Sequence, residues 1–299
     1  MPSWQSYIVH PVLRFYVKRR LARAISPQQA RAALGTSMPS PPGIVFTPGT
    51  LGGIAGEWAE GPGEARGTLL YLHGGGYFTC SPQTYRSITG AYAKRGLRVF
   101  APDYRLAPEH PFPAAIEDAL AVYTALLAQN PAASLAIGGD SAGGGLALAT
   151  LLAARGKALP MPVCALLFSP WTDLAATGAS VTTNARRESM LYAPRLGECA
   201  SHYLAGADPR NPLASPLYAD LSGLPPLLIQ VSEMEILRDD SIRLAERARV
   251  AGVSVDLSVW RNLPHVWQVS QNFLPEARKA LDQAAAFAKT ALASGGGPA

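Results

Sequence analysis

A serine flanked by glycines occurs in the segment Gly139-Asp140-Ser141-Ala142-Gly143-Gly144. A short apolar run precedes it at residues 134–138, and a longer apolar run follows it at residues 145–154. These runs predict a buried strand and a helix, with Ser141 in the tight turn between them. The spacing G-x-S-x-G in that context is typical of a nucleophilic serine for acyl transfer, because the strained turn exposes its hydroxyl at a sheet edge. The free N–H groups at the start of the helix can stabilise an oxyanion there.

The same turn restricts the residues beside the serine. We expect that nothing larger than glycine fits at Gly139 and Gly143, because the chain reverses so sharply around Ser141. A structural alternative is that Ser141 is an ordinary N-cap in a glycine-rich turn that enters a helix. The choice between the two depends on the partner groups elsewhere in the chain.

A nucleophilic serine needs a histidine base, and in this strand–helix arrangement the chain order is serine, acid, histidine. Three of the five histidines precede Ser141, which leaves His202 and His265. His202 lies in an irregular segment that no predicted strand precedes. His265 follows the last predicted strand through the turn at residues 261–264, at the same sheet edge as the serine. We therefore predict that His265 is the base.

The acid that orients the base should lie on the loop after the preceding strand, which we predict at residues 226–231. Four carboxylates follow that strand: Glu233, Glu235, Asp239 and Asp240. Asp239 and Asp240 fall in the first turn of the next helix, where acidic side chains interact favourably with the helix dipole. Glu235 lies near the middle of the loop and can point inward. Position therefore favours Glu235, with Asp239 and Glu233 as alternatives.

An oxyanion needs backbone N–H donors from across the crevice. The segment His73-Gly74-Gly75-Gly76 follows a predicted strand, and its three glycines allow the main chain to approach a substrate with its amides turned inward. The second donor would be the N–H of Ala142. On its own, a triple glycine is also compatible with a flexible turn.

Strand and helix patterns alternate through most of the chain. The predicted strands lie at residues 44–47, 54–59, 68–73, 97–101, 134–138, 163–169, 226–231 and 253–260. The predicted helices lie at residues 84–95, 113–128, 145–154, 237–251 and 273–292. This order predicts an α/β fold with a mostly parallel central sheet and helices on both faces. Ligands of such sheets bind at the carboxyl ends of the strands, where all the candidate groups fall.

Two segments interrupt the alternation. Residues 1–43 are predicted to be helical with a proline-rich end, and residues 175–215 carry scattered Pro, Gly and Asn. We expect these two segments to form one helical cap over residues 44–174 and 216–299, which would form the catalytic domain. Residues 295–299 are predicted to be a frayed tail.

Composition and charge limit the class of protein. The chain has 299 residues, 48% of them hydrophobic, and carries a net charge of +5. Three cysteines without a C-x-x-C pair, and an N-terminus unlike a signal peptide, predict a cytoplasmic protein. The one basic cluster, at residues 14–23, also contains apolar residues. A helix that packs on its own protein is favoured there over a nucleic-acid or membrane surface. We expect no nucleic-acid partner and no stable membrane insertion, and a homo-oligomer is possible.

Together, HGGG at residues 73–76 and GDSAGG at residues 139–144 resemble the hormone-sensitive-lipase family of bacterial esterases. Residues 103–114, DYRLAPEHPFPA, are also similar to the family signature D-Y-R-L-A-P-E-x-x-F-P-A. The resemblance implies an α/β-hydrolase fold with oxyanion donors at Gly75, Gly76 and Ala142. The family acid opens a D-x-L-x-D pattern, which here reads Glu-Ile-Leu-Arg-Asp at residues 235–239. The resemblance thus selects Glu235, with glutamate where aspartate is usual, and keeps Asp239 as an alternative.

The sequence therefore predicts a serine carboxylesterase with the catalytic residues Ser141, Glu235 and His265. We expect it to act on small esters with short to medium acyl chains, and to need no metal and no organic cofactor. The alternatives are a non-catalytic small-molecule receptor on the same fold, and an amidase or lactonase with the same three residues. Trp4, Phe15 and Tyr16 of the cap, with Tyr77, Phe78 and Trp171, are the candidate pocket walls.

Overall fold

The computed structural model describes residues 2–24, 26–34 and 38–295. The strands are β1 (Val45–Leu51), β2 (Ile54–Glu60), β3 (Thr68–Leu72), β4 (Arg98–Pro102), β5 (Leu135–Asp140), β6 (Cys164–Phe168), β7 (Leu227–Ser232) and β8 (Val255–Trp260). The α-helices are α1 (Trp4–Leu13), α2 (Arg19–Arg23), α3 (Pro27–Leu34), α4 (Arg86–Lys94), α5 (Ala114–Gln129), α6 (Ala142–Gly156), α7 (Ser180–Thr183), α8 (Leu196–Leu204), α9 (Arg238–Val250) and α10 (Pro275–Gly295). A π-helical turn, Arg14–Lys18, joins α1 to α2. The predicted tail lies outside the described residues from 296 onward.

The strands form one eight-stranded sheet in the order β1-β2-β4-β3-β5-β6-β7-β8. Strands β3 to β8 pair in parallel, whereas β2 is antiparallel to both β1 and β4. The prediction of a mostly parallel sheet is confirmed. Strand β5, which leads to Ser141, lies at the centre between β3 and β6. The loops after β3, β5, β7 and β8 therefore meet at one edge of the sheet.

The central strands are buried on both faces, with side chains that alternate between two cores. In β3, Leu70 and Leu72 belong to one core, while Leu69 and Tyr71 belong to the other. Helices α5, α6 and α9 contribute to the first core, and α4 and α10 contribute to the second. Continuous apolar strands are what a parallel sheet covered by helices on both faces requires.

The last helix, α10, packs its apolar stripe against the core. The stripe predicted for α10 is buried along its whole length: Ala277, Ala280, Leu281, Ala284, Ala288 and Leu292. Helix α6 is buried on nearly every side, because it packs between the sheet and α5. These two helices thus belong to the two different cores, one on each face of the sheet.

The segment at residues 175–215 is more regular than the sequence predicted. It contains α8, in which Leu196, Ala200, Tyr203 and Leu204 are buried. That spacing is helical, but the surrounding Pro and Gly residues concealed it. The prediction that His202 lies in an irregular region was therefore wrong, because His202 is in the last turn of α8.

The N-terminal segment packs against this second segment through cation–carbonyl contacts. Lys18 Nζ donates to the carbonyl oxygens of Ala185 and Glu188, at 2.9 Å and 2.6 Å. The Arg14 guanidinium donates to the carbonyl oxygens at residues 186–187. The predicted packing of the N-terminal helix is only partly correct, because most of its large apolar side chains face solvent. In the described parts of the chain, every helix is too short or too polar to cross a bilayer.

Candidate active site

Ser141 occupies a strained turn between β5 and α6, with φ 52° and ψ −124°. Its backbone N–H donates to the carbonyl of Phe168 at 2.9 Å, and its carbonyl accepts from the Trp171 N–H at 2.8 Å. These bonds hold the turn in a conformation that a non-glycine residue rarely adopts. Ser141 is in the N-cap position of α6, but its hydroxyl makes no capping hydrogen bond. The hydroxyl is thus left available for chemistry.

The glycines beside the serine leave no room for a side chain. A Cβ atom at Gly143 would lie 2.1 Å from the carbonyl oxygen of Leu72, and one at Gly139 would lie 2.3 Å from the carbonyl oxygen of Gly143. Real Cβ atoms do not approach backbone so closely. The start of α6 therefore packs directly on the end of β3, and the prediction that only glycine fits at Gly139 and Gly143 is confirmed.

His265 and Glu235 are joined by a buried hydrogen bond of 2.7 Å between Nδ1 and Oε2. The other carboxylate oxygen, Oε1, accepts from Ser169 Oγ at 2.8 Å and from the Ser232 N–H at 2.7 Å. With Nδ1 donating to the carboxylate, Nε2 of a neutral imidazole is an acceptor. The loop after β7 and the loop after β8 thus together fix one imidazole in one tautomer.

Burial and pairing act in opposite directions on this histidine. Burial lowers the pKa of His265, but the hydrogen bond and the charge of Glu235 outweigh it and hold the pKa above the ordinary value of 6.5. Burial raises the pKa of Glu235, while the donors from His265 and Ser232 favour its carboxylate form. The charge of Glu235 therefore stabilises the imidazolium form of His265 against the effect of burial.

The other carboxylates near this loop contact different partners. Asp239 pairs with Arg238 at 2.8 Å and accepts from the Ser180 N–H at 2.8 Å. Glu233 pairs with Arg187 at 3.5 Å. Asp240 is buried and accepts from the backbone N–H groups at residues 172–173. Among the described residues, Glu235 is the carboxylate that contacts His265.

The glycine loop after β3 presents unpaired amides. Gly75 and Gly76 have φ angles of 113° and 65°, which favour glycine. Among the described residues, the N–H groups of these two glycines donate no hydrogen bond to protein. Ala142 is the first residue of α6, a position where the helix itself supplies no acceptor for the N–H. These three amides are therefore free to receive an oxyanion.

Asp140, next to the serine, ties the glycine loop to the sheet. Its carboxylate accepts from Tyr71 Oη at 2.8 Å, from Tyr85 Oη at 2.7 Å and from the Gly74 N–H at 3.2 Å. Burial raises the pKa of Asp140 to about 6, although the two tyrosines counteract it. Sequence reasoning did not assign Asp140 a role. The residue was visible as the variable position of G-x-S-x-G, but its partners come from other elements.

The DYRLAPEHPFPA segment supports the same loop. Tyr104 stacks on the His73 ring with centroids 4.3 Å apart, and its hydroxyl donates to the His73 carbonyl at 2.7 Å. Burial lowers the pKa of His73 to about 4, so this ring is neutral. Arg105 pairs with the buried Asp118 at 2.8 Å and so anchors the segment to α5. His73 is thus a structural residue of the loop.

One cavity of about 720 Å³ contains the candidate groups. Ser141, His265, Gly75 and Gly76 all line it, together with Asp140. In the structure as described, no hydrogen bond joins Ser141 Oγ to His265. Such catalytic hydrogen bonds are often long without substrate and shorten when one is bound. The volume is within the range of small-molecule sites.

Most of the remaining cavity wall is apolar and comes from residues 8–38 and 190–202. Ile8, Val12, Leu13, Tyr16, Leu191 and Leu196 contribute to it. Of the predicted walls, Phe78, Trp171 and Tyr16 line the cavity. Tyr77 instead stacks on Tyr203, with centroids 3.8 Å apart, and Trp4 and Phe15 lie outside the lining. The described residues contain no group of three or more His, Cys, Asp or Glu side chains placed to hold a metal ion.

Comparisons with known proteins agree with the fold described above. Residues 69–269 match a family described as having the α/β-hydrolase fold. An acetyl-hydrolase of Streptomyces hygroscopicus is 46% identical over 91% of this chain and 91% of that protein. An esterase of Acinetobacter venetianus is 35% identical over 95% of this chain and 96% of that protein. The crystal structure of an esterase from the bacterial hormone-sensitive lipase family superposes with a TM-score of 0.91. It is 42% identical and covers 98% of this chain and 99% of its own.

Proposed function

This chain belongs to the hormone-sensitive-lipase family of bacterial esterases and is a carboxylic ester hydrolase, and from that premise we propose that it hydrolyses short- to medium-chain acyl esters through an acyl-enzyme on Ser141. One observation carries the proposal. A serine whose hydroxyl is free of any capping bond lines the same cavity as a histidine bonded to a buried carboxylate. That combination supplies both a nucleophile and a base that can accept its proton.

In the proposed first step, Ser141 Oγ attacks the ester carbonyl carbon while its proton passes to His265 Nε2. The carbonyl oxygen becomes an oxyanion, which the N–H groups of Gly75, Gly76 and Ala142 receive. Loss of one such donor typically costs about 3 kcal/mol of transition-state stabilisation. The unpaired state of these amides supports their assignment to this role.

Glu235 has the role of orienting acid in this proposal. Its bond to Nδ1 holds the imidazole with Nε2 facing the cavity, and its charge stabilises the imidazolium that forms. Ser169 and the Ser232 N–H keep the carboxylate itself from rotating. Glutamate serves here because the loop places Oε2 within 2.7 Å of the ring.

Collapse of the tetrahedral intermediate breaks the bond to the leaving alcohol, which takes the proton from His265 Nε2. Water then attacks the acyl-enzyme carbonyl and gives a proton to the same nitrogen. A second tetrahedral intermediate collapses, the acid leaves, and Ser141 regains its proton. Every proton transfer uses residues of this chain, and no step calls for a redox reaction.

The apolar cavity supports an acyl ester as the substrate class. Its volume of about 720 Å³ suits a small ester, and its wall offers few polar groups to a larger polar substrate. The similarity to a protein named acetyl-hydrolase supports a short acyl group. The two cap segments form much of the wall, so we assign to them the selection of chain length.

A panel of p-nitrophenyl esters of increasing acyl length, with matched anilides and lactones, tests the proposal. We expect the highest kcat/KM on short to medium esters and little turnover of the anilides. A maximum on long-chain esters, or on amides or lactones, would contradict the proposed substrate class. Failure to hydrolyse any activated ester would favour a receptor on the same fold.

A further inference from the structure

The net positive charge of the protein is confined to its first part. Residues 1–56 contain six Lys and Arg and no Asp or Glu, which leaves 20 basic and 21 acidic side chains for the rest of the chain. The N-terminal cap segment is therefore strongly cationic, whereas the remainder is nearly neutral. A charge difference of this kind indicates a surface that meets an anionic partner.

Among the described residues, five of these six cations form no ion pair, and three of the five also donate no side-chain hydrogen bond. Arg31 pairs with Glu109 at 2.5 Å, and Arg14 and Lys18 donate to backbone carbonyls. In contrast, the exposed side chains of Arg19, Arg20 and Arg23 form no ion pair among the described residues. Arg19 instead lies over the Phe15 ring at 5.6 Å. These charges are free to attract an external anion.

The same helical segment exposes an unusual amount of apolar surface. Its large side chains are solvent-exposed to 64% at Trp4, 61% at Tyr7, 45% at Ile8, 45% at Val12, 58% at Phe15 and 54% at Tyr16. We call these six residues, with Arg19, Arg20 and Arg23, the cap face. Isolated exposed apolar residues are ordinary, but a contiguous group on one element marks an interaction site.

The cap face continues into the cavity that holds Ser141. Ile8, Val12 and Tyr16 are half-exposed on the outside and also line the cavity. Phe273, which stacks edge-on against Trp4 at 6.0 Å, is exposed and lines the cavity as well. The apolar surface is thus continuous from solvent to the serine.

The positive charge of the cap face indicates which kind of partner binds it. A second copy of the chain would bring two cationic faces together, which repel each other. A helix with aromatic and aliphatic side chains beside unpaired arginines instead suits a lipid surface with anionic head groups. We propose that the cap face binds an anionic lipid surface and brings the mouth of the cavity against it. This binding needs no ester chemistry, so it goes beyond the proposed function.

Sedimentation with lipid vesicles tests the inference. The full chain is mixed with vesicles of equimolar phosphatidylglycerol and phosphatidylcholine, or with vesicles of phosphatidylcholine alone. We expect binding to the anionic vesicles, little binding to the neutral ones, and a loss of binding as salt screens the charges. The Ser141→Ala variant should bind as the wild type does, which separates this result from any result on catalysis.

Two double variants and a matched control locate the surface. Removal of two cations in Arg19→Gln/Arg23→Gln should lower the partition coefficient about 30-fold. Tyr7→Ser/Phe15→Ser removes apolar contact and should also lower it strongly. The control Arg66→Gln/Val250→Ser changes an exposed cation and an exposed apolar residue elsewhere. It should bind like the wild type, and thermal unfolding checks that each variant is folded.

Three results would overturn the inference. The first is no binding to anionic vesicles at low salt. The second is an equal loss of binding in the control and in the cap-face variants, which would indicate non-specific attraction. The third is a dimer that Tyr7→Ser/Phe15→Ser abolishes, in light scattering, without any vesicle binding by the wild type. That outcome would assign the cap face to contact between copies.

Discussion

Glu235 Oε2 lies 2.7 Å from His265 Nδ1, although the two residues come from loops after different strands. Strands β7 and β8 are parallel neighbours, so their carboxyl ends deliver both loops to the same place. Ser169, from the loop after β6, adds a third strand end to this contact. The pair is thus a consequence of the strand order.

The acid assignment predicts different effects for two neighbouring carboxylates. Glu235→Gln should lower kcat by about 10⁴-fold, because an amide at this position no longer stabilises the imidazolium and can select the wrong tautomer. Asp239→Asn should have a much smaller effect on kcat, because Asp239 contacts Arg238 and Ser180 instead. Steady-state kinetics of the two variants on one p-nitrophenyl ester checks this. A larger loss in Asp239→Asn than in Glu235→Gln would reverse the assignment.

The pH dependence of kcat/KM follows from the raised pKa of His265. The base must be neutral in the free enzyme, so activity should fall as the pH decreases through this pKa. Because Glu235 holds that pKa above 6.5, the acid limb should have its midpoint above pH 6.5. Glu235→Gln removes the two largest raising contributions to the pKa of His265 and leaves burial opposed only by the charges of Glu188 and Asp140, so the midpoint should move to lower pH. A midpoint that does not move would show that another group controls the limb.

Asp140 is predicted to act by positioning the glycine loop. Asp140→Asn replaces one acceptor oxygen with an NH₂ group, which cannot accept, so the residue loses either the bond from Tyr85 or the bonds from Tyr71 and the Gly74 N–H. The loop amides should shift, and a displacement of about 1 Å can cost about 10²-fold in kcat. KM should change less, because the apolar cavity wall is unaffected. The exposed Asp282→Asn is the control, and an equal kcat in both variants would exclude the positioning role.

The same glycine-to-alanine change should have opposite effects at two helix positions. In Gly143→Ala the new Cβ would lie 2.1 Å from the Leu72 carbonyl oxygen, so the protein should lose about 1–3 kcal/mol of stability or more. Gly197 lies in α8, and a Cβ there meets nothing within 4 Å. Gly197→Ala should therefore stabilise by about 0.5–1 kcal/mol. Thermal unfolding measures both, and a stable Gly143→Ala would contradict the close packing of α6 on β3.

Local sequence patterns were sufficient to predict much of the fold. The β-α alternation from β3 to α10 was predictable because each buried strand is a short apolar run and each helix has a helical stripe. Helix α8 was missed because proline and glycine surround a short stripe. The exposure of Phe15 was missed for a different reason. An apolar stripe predicts that a helix is amphipathic, but it does not say whether protein or another surface covers it.

Part of the candidate site could also be predicted from the sequence, and part of it could not. The sequence was sufficient to place Ser141, His265 and the glycine loop together, because each follows a predicted strand and the carboxyl ends of parallel strands lie at one edge of the sheet. The hydrogen bond from the Gly74 N–H to the Asp140 carboxylate could not be predicted from the sequence. The position of the carboxylate depends on Tyr71 and Tyr85, which lie 69 and 55 residues before Asp140 in the chain. Their hydroxyls reach one carboxylate only because β3 and the turn before α4 both pack beside the end of β5.

Ser141 should carry the acyl group during turnover. Rapid mixing of the protein with a p-nitrophenyl ester, followed by acid quench and peptide mass spectrometry, tests this directly. We expect an acyl mass on the peptide that contains Ser141, and a turnover about 10⁶-fold lower in Ser141→Ala with unchanged thermal unfolding. The exposed Ser294→Ala is the control for the substitution itself. An acyl group on another residue, or hydrolysis by Ser141→Ala near the wild-type rate, would contradict it.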